Sequence, residues 1–433
     1  MKNRFAALIV PALLLSPLTA FAQAEVKIDT GDTAFVLLSA ALVMLMTPGL
    51  AMFYGGMVRR KNVLGTLMHS FVAIALVSVQ WILFGYSLAF GPDISGFIGG
   101  LDWLGLYSVG VLPNADYAPT IPHAAFMIYQ AMFAVITPAL ISGAIAERIK
   151  FSAYLVFILL WTTIVYDPVA HWVWGTGGWL KNMGVLDFAG GVVVHVTSGI
   201  SALAAALYIG KRRNYLKEPM PPHNLPMTVL GAGLLWFGWF GFNAGSALAA
   251  GGLSTMAFIA THSAAVSATL TWTFIEWAHR GKPTMFGAAT GSIAGLATIT
   301  PASGFVSPAS ALLIGVFAGA ICYAALNMKV KLKYDDSLDA FGVHGVGGIL
   351  GTIGAGFLAS KLINPSGADG LLLGNAHQLS VQLIAVAATA AYSFVISLVL
   401  LKVIDLAMGL RVSDEDEMMG LDISQHEESG YTL

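Results

Sequence analysis

Asp187-Phe-Ala-Gly-Gly-Val-Val-Val-His195 opens an apolar run that carries no further charge up to Gly210. That is about the 20 residues a helix needs to cross roughly 30 Å of hydrocarbon. An imidazole inside such a run is costly unless a polar partner or a task holds it there, so His195 marks a span and a candidate site together. Asp339-Ala-Phe-Gly-Val-His344-Gly-Val-Gly-Gly348 repeats the pattern in the other half of the chain. Working outward from these two, apolar runs are read at 33–56, 63–90, 123–146, 152–174, 187–210, 223–246, 252–277, 284–301, 305–328, 338–360 and 378–405. The fold class expected is an all-α polytopic membrane protein with eleven transmembrane helices.

Composition agrees with that reading. Hydrophobic residues make up 57% of the 433-residue chain and charged residues 10%, against about 25% charged in soluble domains. Too few charges remain to cover the surfaces of a soluble protein this long. The 48 glycines fall largely inside the apolar runs, where small residues let helix backbones approach closely. The single Cys322 excludes an internal disulfide, and the net charge of −2 points to no nucleic-acid partner.

Lys2 and Arg4 precede an apolar stretch, Phe5 to Leu15, too short to span, and Ala22-Gln23-Ala24 offers a small-residue cleavage pattern. Residues 1–24 are therefore expected to be a cleaved signal peptide, with 25–32 a periplasmic N-terminus. The alternative is a retained first helix with inverted topology, and the charge distribution argues against it. With the N-terminus outside, sixteen of the 21 Lys and Arg residues fall in cytoplasmic loops or flank the last span, while only Lys27, Lys181 and Lys361 lie outside. That asymmetry fixes an N-out, C-in orientation. Helices 1–5 and 6–10 then run in opposite senses, a pseudo-two-fold inverted repeat with the path expected between the halves. The organisation is a first five-helix half (33–210), a cytoplasmic linker (211–222), a second half (223–360), a loop with helix 11 (361–405) and a cytoplasmic tail (406–433).

Facing one another across the axis between halves, His195 and His344 could share a hydrogen bond and form a polar track through a dry pore. The competing reading is two structural histidines bonded to backbone carbonyls. Trp174, Tyr129, Trp239, Phe242 and Ser246 gather near the outer helix ends. Aromatic faces attract small cations, although tryptophans at a membrane edge are usually interfacial anchors. His69, His123, His171, His223, His262, His279 and His377 are scattered without metal-ligand spacing, so no metal or cofactor is expected. Asp167, beside Pro168, reads as a cap or loop partner.

Six stretches in order carry a more specific signal: Thr-Pro-Gly-Leu-Ala-Met-Phe-Tyr-Gly-Gly (47–56), Gly-Ala-Ile-Ala-Glu-Arg-Ile-Lys-Phe-Ser (143–152), Leu-Asp-Phe-Ala-Gly-Gly (186–191), Pro-His-Asn-Leu-Pro (222–226), Gly-Trp-Phe-Gly-Phe-Asn-Ala-Gly-Ser (238–246) and Phe-Gly-Val-His-Gly-Val (341–346). Through them the chain resembles the ammonium transporter family (Amt/Mep, related to the Rh proteins) from about residue 33 to the C-terminus. The resemblance implies that His195 and His344 are the twin histidines of the pore and that Phe133 and Phe242 form its outer gate. It implies ammonium binding at Trp174, Ser246 and Tyr129, with Asp187 and Trp239 in support. Tyr129 departs from the family's usual Phe, keeping the π face and adding a hydroxyl.

The activity implied is selective ammonium transport, with methylammonium as analogue. Ammonium would be recruited at the aromatic site, lose a proton near the gate and cross as ammonia past the histidines, with or without proton relay. Deprotonation also separates ammonium from potassium, which has no proton to lose. The resemblance further implies a homotrimer in a bacterial inner membrane, a packed tail that influences gating, and a PII-type signalling protein as its partner. The rival readings are an ammonium sensor with little flux and an Rh-like neutral gas channel. An intramembrane enzyme lacks any nucleophile–base or paired-Asp arrangement in the spans.

Overall fold

The computed structural model describes residues 27–432; the leader assigned to 1–24 lies outside the described residues. Among the described residues, ten helices are long and apolar enough to cross a membrane: α1 (Thr30–Met57), α2 (Arg60–Phe90), α3 (His123–Ile145), α4 (Phe151–Asn182), α5 (Gly191–Ile209), α6 (Leu225–Ala247), α7 (Gly252–Arg280), α9 (Pro308–Leu332), α10 (Phe341–Leu358) and α11 (Ala376–Met408). The remaining apolar helix, α8 (Met285–Ile299), has 15 residues, below the length of a full span. It is nonetheless buried over most of its length. Among the described residues, ten helices of spanning length and one shorter apolar helix lie over the apolar runs read from the sequence.

The ends follow local capping chemistry. The side chains of Asp29, Asn224 and Thr284 accept N–H bonds in the first turns of α1, α6 and α8, satisfying donors a helix start leaves free. α9 begins at Pro308 behind a Ser307 cap rather than at 305. α5 begins at Gly191 rather than 187, because Asp187 stays outside the helix as its cap. Between α2 and α3 lie two small hairpins, β1 (Asp93–Ile94) with β2 (Ile98–Gly99), and β3 (Pro113–Asn114) with β4 (Ala118–Pro122), all antiparallel.

Glycines decide which helices touch. On α5, a Cβ built at Gly199 would fall 2.0 Å from the backbone nitrogen of Gly345 on α10. On α6, one built at Gly231 would fall 2.3 Å from the Phe53 nitrogen on α1. These two crossings bring backbones together and leave the side chains of α1, α3, α5, α6 and α10 to converge on the axis. Among the described residues, four π-helical turns interrupt these helices: Trp81–Gly85 in α2, Thr162–Tyr166 in α4, and the openings of α5 (Gly191–Val196) and α10 (Phe341–Gly345). Such wide turns cost hydrogen-bond regularity and often mark functional positions.

The face opposite the hairpins carries a buried ion network. Arg212 is bonded to Asp335 through its backbone and guanidinium and reaches Glu147 at 3.3 Å, while Arg59 binds Glu147 at 2.7 Å. Arg148 is buried and donates to the carbonyls of Ala144, Ala146, Gly210 and Asp335. Two short helices of the tail, α12 (Asp414–Met419) and α13 (Leu421–His426), close over this face. Glu417 bonds Arg411 and the Arg213 amide at 2.6 Å each. Asp422 accepts the Gly65 amide at 2.9 Å, so the tail supplies a cap to the first turns of α2. Of the tail's acids Glu417 and Asp422 are buried in these contacts, while Asp414, Glu415, Glu427 and Glu428 stay exposed.

Candidate functional site

Along the axis the structure sets a vestibule, a pair of phenylalanines, a narrow lumen with two histidines and a second cavity on the tail face. The vestibule has a volume of about 290 Å³, and Gln130, Phe133, Trp174, Asp187 and Ser246 lie in its wall. At its floor the Phe133 and Phe242 rings stand 4.3 Å apart between centroids at 35°, and Trp174 meets Phe133 edge-on at 5.9 Å. Both phenylalanines are essentially fully buried.

Below them the lumen is walled by apolar side chains, among them Leu50, Ile136, Leu140, Leu235 and Ile293, with His195 and His344. It leaves about 10 Å³ for a water-sized sphere, room for roughly one small molecule at a time. The imidazoles lie nearly parallel, 15° apart with centroids at 5.2 Å, and His195 is followed at 6.1 Å by Phe242. The shared hydrogen bond expected between them is not formed: the rings stack instead. Among the described residues, neither ring nitrogen of His195 and not Nδ1 of His344 has a protein partner. The structural alternative of backbone-bonded histidines is therefore not what this geometry shows. Buried polar atoms without partners are rare, and here three of them lie in the two imidazoles of one lumen.

Each neighbour has a traceable reason for its position. Trp239 donates its indole N–H to Thr300 at 2.9 Å and sits 5.6 Å from His195. Trp174 donates its own to the Asp187 carbonyl at 2.9 Å. Both carboxylate oxygens of Asp187 are occupied: one accepts the Gly190 and Gly191 amides at 2.9 and 2.6 Å, the other those of Val192 and Val193 at 2.9 and 3.1 Å. Tyr129 lies buried beneath the vestibule rather than in its wall. Its hydroxyl lies 2.8 Å from the Phe242 carbonyl and 3.1 Å from the Ser246 hydroxyl. Tyr129 thus fixes Ser246, and its ring packs on Phe133 at 5.0 Å.

The aspartate that caps the second histidine helix lies one turn before the one the sequence suggested. Asp336, not Asp339, caps α10, accepting the Ala340 and Phe341 amides at 3.1 and 2.8 Å. Asp339 sits at φ 64° and bonds the Lys329 ammonium. The capping aspartate stands eight residues before the histidine in both helices, Asp187 to His195 and Asp336 to His344, and equal spacing was the signal available. Asp167 is also corrected. It is fully buried within α4, accepting from Gln80 at 2.7 Å, and is neither cap nor loop. Pro168 is tolerated inside the helix because the wide turn at Thr162–Tyr166 has already disturbed the bonding a proline would break.

On the tail face, a cavity of about 290 Å³ is bordered by Met57, Arg212, Phe286, Lys329, Leu338 and Asp339. Among the described residues no cluster of three His, Cys, Asp or Glu side chains is placed to hold a metal.

The sequence profile of the Ammonium Transporter Family matches residues 34–431. A Bacillus subtilis ammonium transporter is 52% identical over 402 residues, which cover 93% of this chain and 98% of the relative. The crystal structure of Saccharomyces cerevisiae Mep2 superposes with a TM-score of 0.85 at 37% identity, covering 90% of this chain and 89% of that one. A structure titled Sensor Amt Protein superposes at 0.84 with 30% identity over 92% and 98% of the two chains. This chain belongs to the ammonium transporter family.

Proposed function

We propose that the protein carries ammonium selectively across the membrane by capturing the ion in the vestibule and passing ammonia through the histidine-lined lumen. The observation that supports this most directly is His195, with two ring nitrogens unpartnered among the described residues and its ring stacked on His344 in an otherwise apolar lumen. Ammonium meets the face of Trp174 and the oxygen of Ser246, which Tyr129 holds in place. Cation–π attraction strengthens as water is excluded. A unit charge entering the apolar lumen carries a large desolvation cost, and ammonia does not. The proton is released near Phe133 and Phe242, and either stays outside or moves along the histidine pair. Asp187 is a poor acceptor for it, since each carboxylate oxygen already takes two N–H bonds; its task is to hold the start of α5.

In this reading the vestibule faces the periplasm and the tail the cytoplasm, with eleven spans, N-out and C-in. The two five-helix halves form an inverted repeat. Their equal Asp-to-His spacing, their π-helical openings and the Gly199–Gly345 crossing support it. The protein works in a bacterial inner membrane as a homotrimer with one pore per subunit. Its packed tail is the place where a PII-type signalling protein acts.

The test is a current recording from proteoliposomes given an ammonium pulse, with potassium as control and an internal pH dye. A saturable ammonium response without a potassium response is expected, with His195→Ala and His344→Ala abolishing it or losing selectivity. Equal responses to both ions would overturn the neutral-lumen reading. The structural match to a sensor keeps a second reading open: binding with neither current nor pH change would favour a receptor with little flux.

A further inference from the structure

The vestibule rim holds a cation of its own. Lys181, in the short turn Trp179–Asn182 at the end of α4, lies in the vestibule wall together with Asp116 and Tyr117. Its ammonium group donates to the Trp174 carbonyl at 2.9 Å and stands 5.4 Å from the centroid of the Tyr117 ring. Both partners are held from behind. The Tyr117 hydroxyl donates to Phe90 at 2.7 Å and accepts the Thr176 amide at 3.0 Å, and its ring stacks on Phe126 at 5.1 Å. The Trp174 indole is tied to Asp187. Asp116, the residue before Tyr117, makes no ion pair among the described residues. An aromatic face, a carbonyl oxygen and a nearby carboxylate are the partners that suit a small primary ammonium ion.

We infer that this rim is a cation site outside the Trp174–Ser246 site, that the tethered ammonium of Lys181 occupies it, and that Lys181 thereby sets the apparent affinity for incoming ammonium. The inference rests on the vestibule being the capture site proposed above. Lys181 acts in two ways of the same sign: it fills the outermost cation position, and it adds a positive charge to the mouth through which a cation must pass. Asp116 acts in the opposite sense. Repulsion between unit charges at vestibule distances, in the intermediate dielectric of a protein surface, changes occupancy by between about two- and tenfold. Salt reduces the effect, because the rim is open to solvent.

The experiment measures the ammonium concentration for half-maximal current in proteoliposomes. Lys181→Gln is expected to lower it by about three- to tenfold with the maximal current kept, Lys181→Arg to leave it near wild type, and Asp116→Asn to raise it. The difference between wild type and Lys181→Gln narrows as impermeant salt is added. A lysine that merely braces the loop predicts the contrary, a smaller maximal current or an unchanged half-maximal concentration in Lys181→Gln, and either result overturns the inference. Should Lys181→Gln not fold, Asp116→Asn decides alone, since it leaves the Lys181 bonds in place; no rise would overturn the inference. Trp174→Leu separates the two layers of argument. If it leaves the half-maximal concentration unchanged, the capture site itself is wrong. If it raises that concentration while Lys181→Gln does not lower it, only the role of Lys181 falls.

Discussion

Four backbone amides converge on the carboxylate of Asp187 and hold the start of α5, while the backbone carbonyl of the same residue accepts the Trp174 indole N–H. Asparagine in its place would offer one acceptor oxygen and turn an N–H₂ group toward N–H donors. Hydrogen bonds to a charged acceptor are worth about 1.5–3 kcal/mol each, so Asp187→Asn is expected to lower the thermal midpoint in detergent and to abolish ammonium current together. A normal midpoint with lost current would instead assign Asp187 a direct part in proton release. The residues with chemistry were legible as types, yet their tasks were not. Tyr129, expected at the ammonium-binding site, is buried with its hydroxyl 3.1 Å from that of Ser246, because a hydroxyl on that ring meets the carbonyl end of α6.

At the scale of elements, the spans were visible in the sequence because a bilayer-crossing helix must be a continuous apolar run. Periodicity cannot report a π-helical turn, which changes hydrogen bonding without changing composition, so the turns that open α5 and α10 emerge only from the coordinates. The crossing of these two helices depends on Gly199 and Gly345. A side chain at Gly199 meets the α10 backbone, which cannot rotate away as a flexible side chain would. Overpacking of this kind typically costs about 1–3 kcal/mol and more where backbone must move. Gly199→Val is therefore expected to cut the yield of folded protein after detergent extraction severely, as read by size-exclusion chromatography. Normal yield would show that α5 and α10 can separate without losing the fold.

For the molecule as a whole, the ion network beneath the tail ties together segments far apart in sequence. Burial pushes the Glu147 carboxyl up, but the Arg212 and Arg59 guanidiniums pull it further down, leaving it below its ordinary 4.5. A depressed carboxyl pKa contributes stability that is fully present above the ordinary value and is lost as pH falls through the folded value. Thermal stability should accordingly stay level from neutral pH to about 5 and decline below 4.5. Glu147→Gln should be less stable than wild type at neutral pH by about 1–3 kcal/mol, since it removes the charged partner of Arg59 while Arg212 keeps Asp335. Its acid decline should be correspondingly shallower. An unchanged pH profile in Glu147→Gln would show that the network contributes nothing to holding this face closed.

The sequence by itself determined the membrane class, the approximate spans and the paired histidines. Each of these follows from a local rule: a bilayer admits only apolar runs, and a polar ring inside one stands out. It also carried the Asp-to-His spacing, eight residues in both halves, although the neighbouring Asp339 hid it. Only the tertiary structure decided that the histidines stack rather than share a hydrogen bond, that Asp336 is the cap and that Asp167 is buried within a span. It alone placed the ammonium of Lys181 over Tyr117. These outcomes depend on where backbones cross and on which donor reaches an acceptor first. Such distances are set by packing between segments remote in the chain, and no residue's identity contains them.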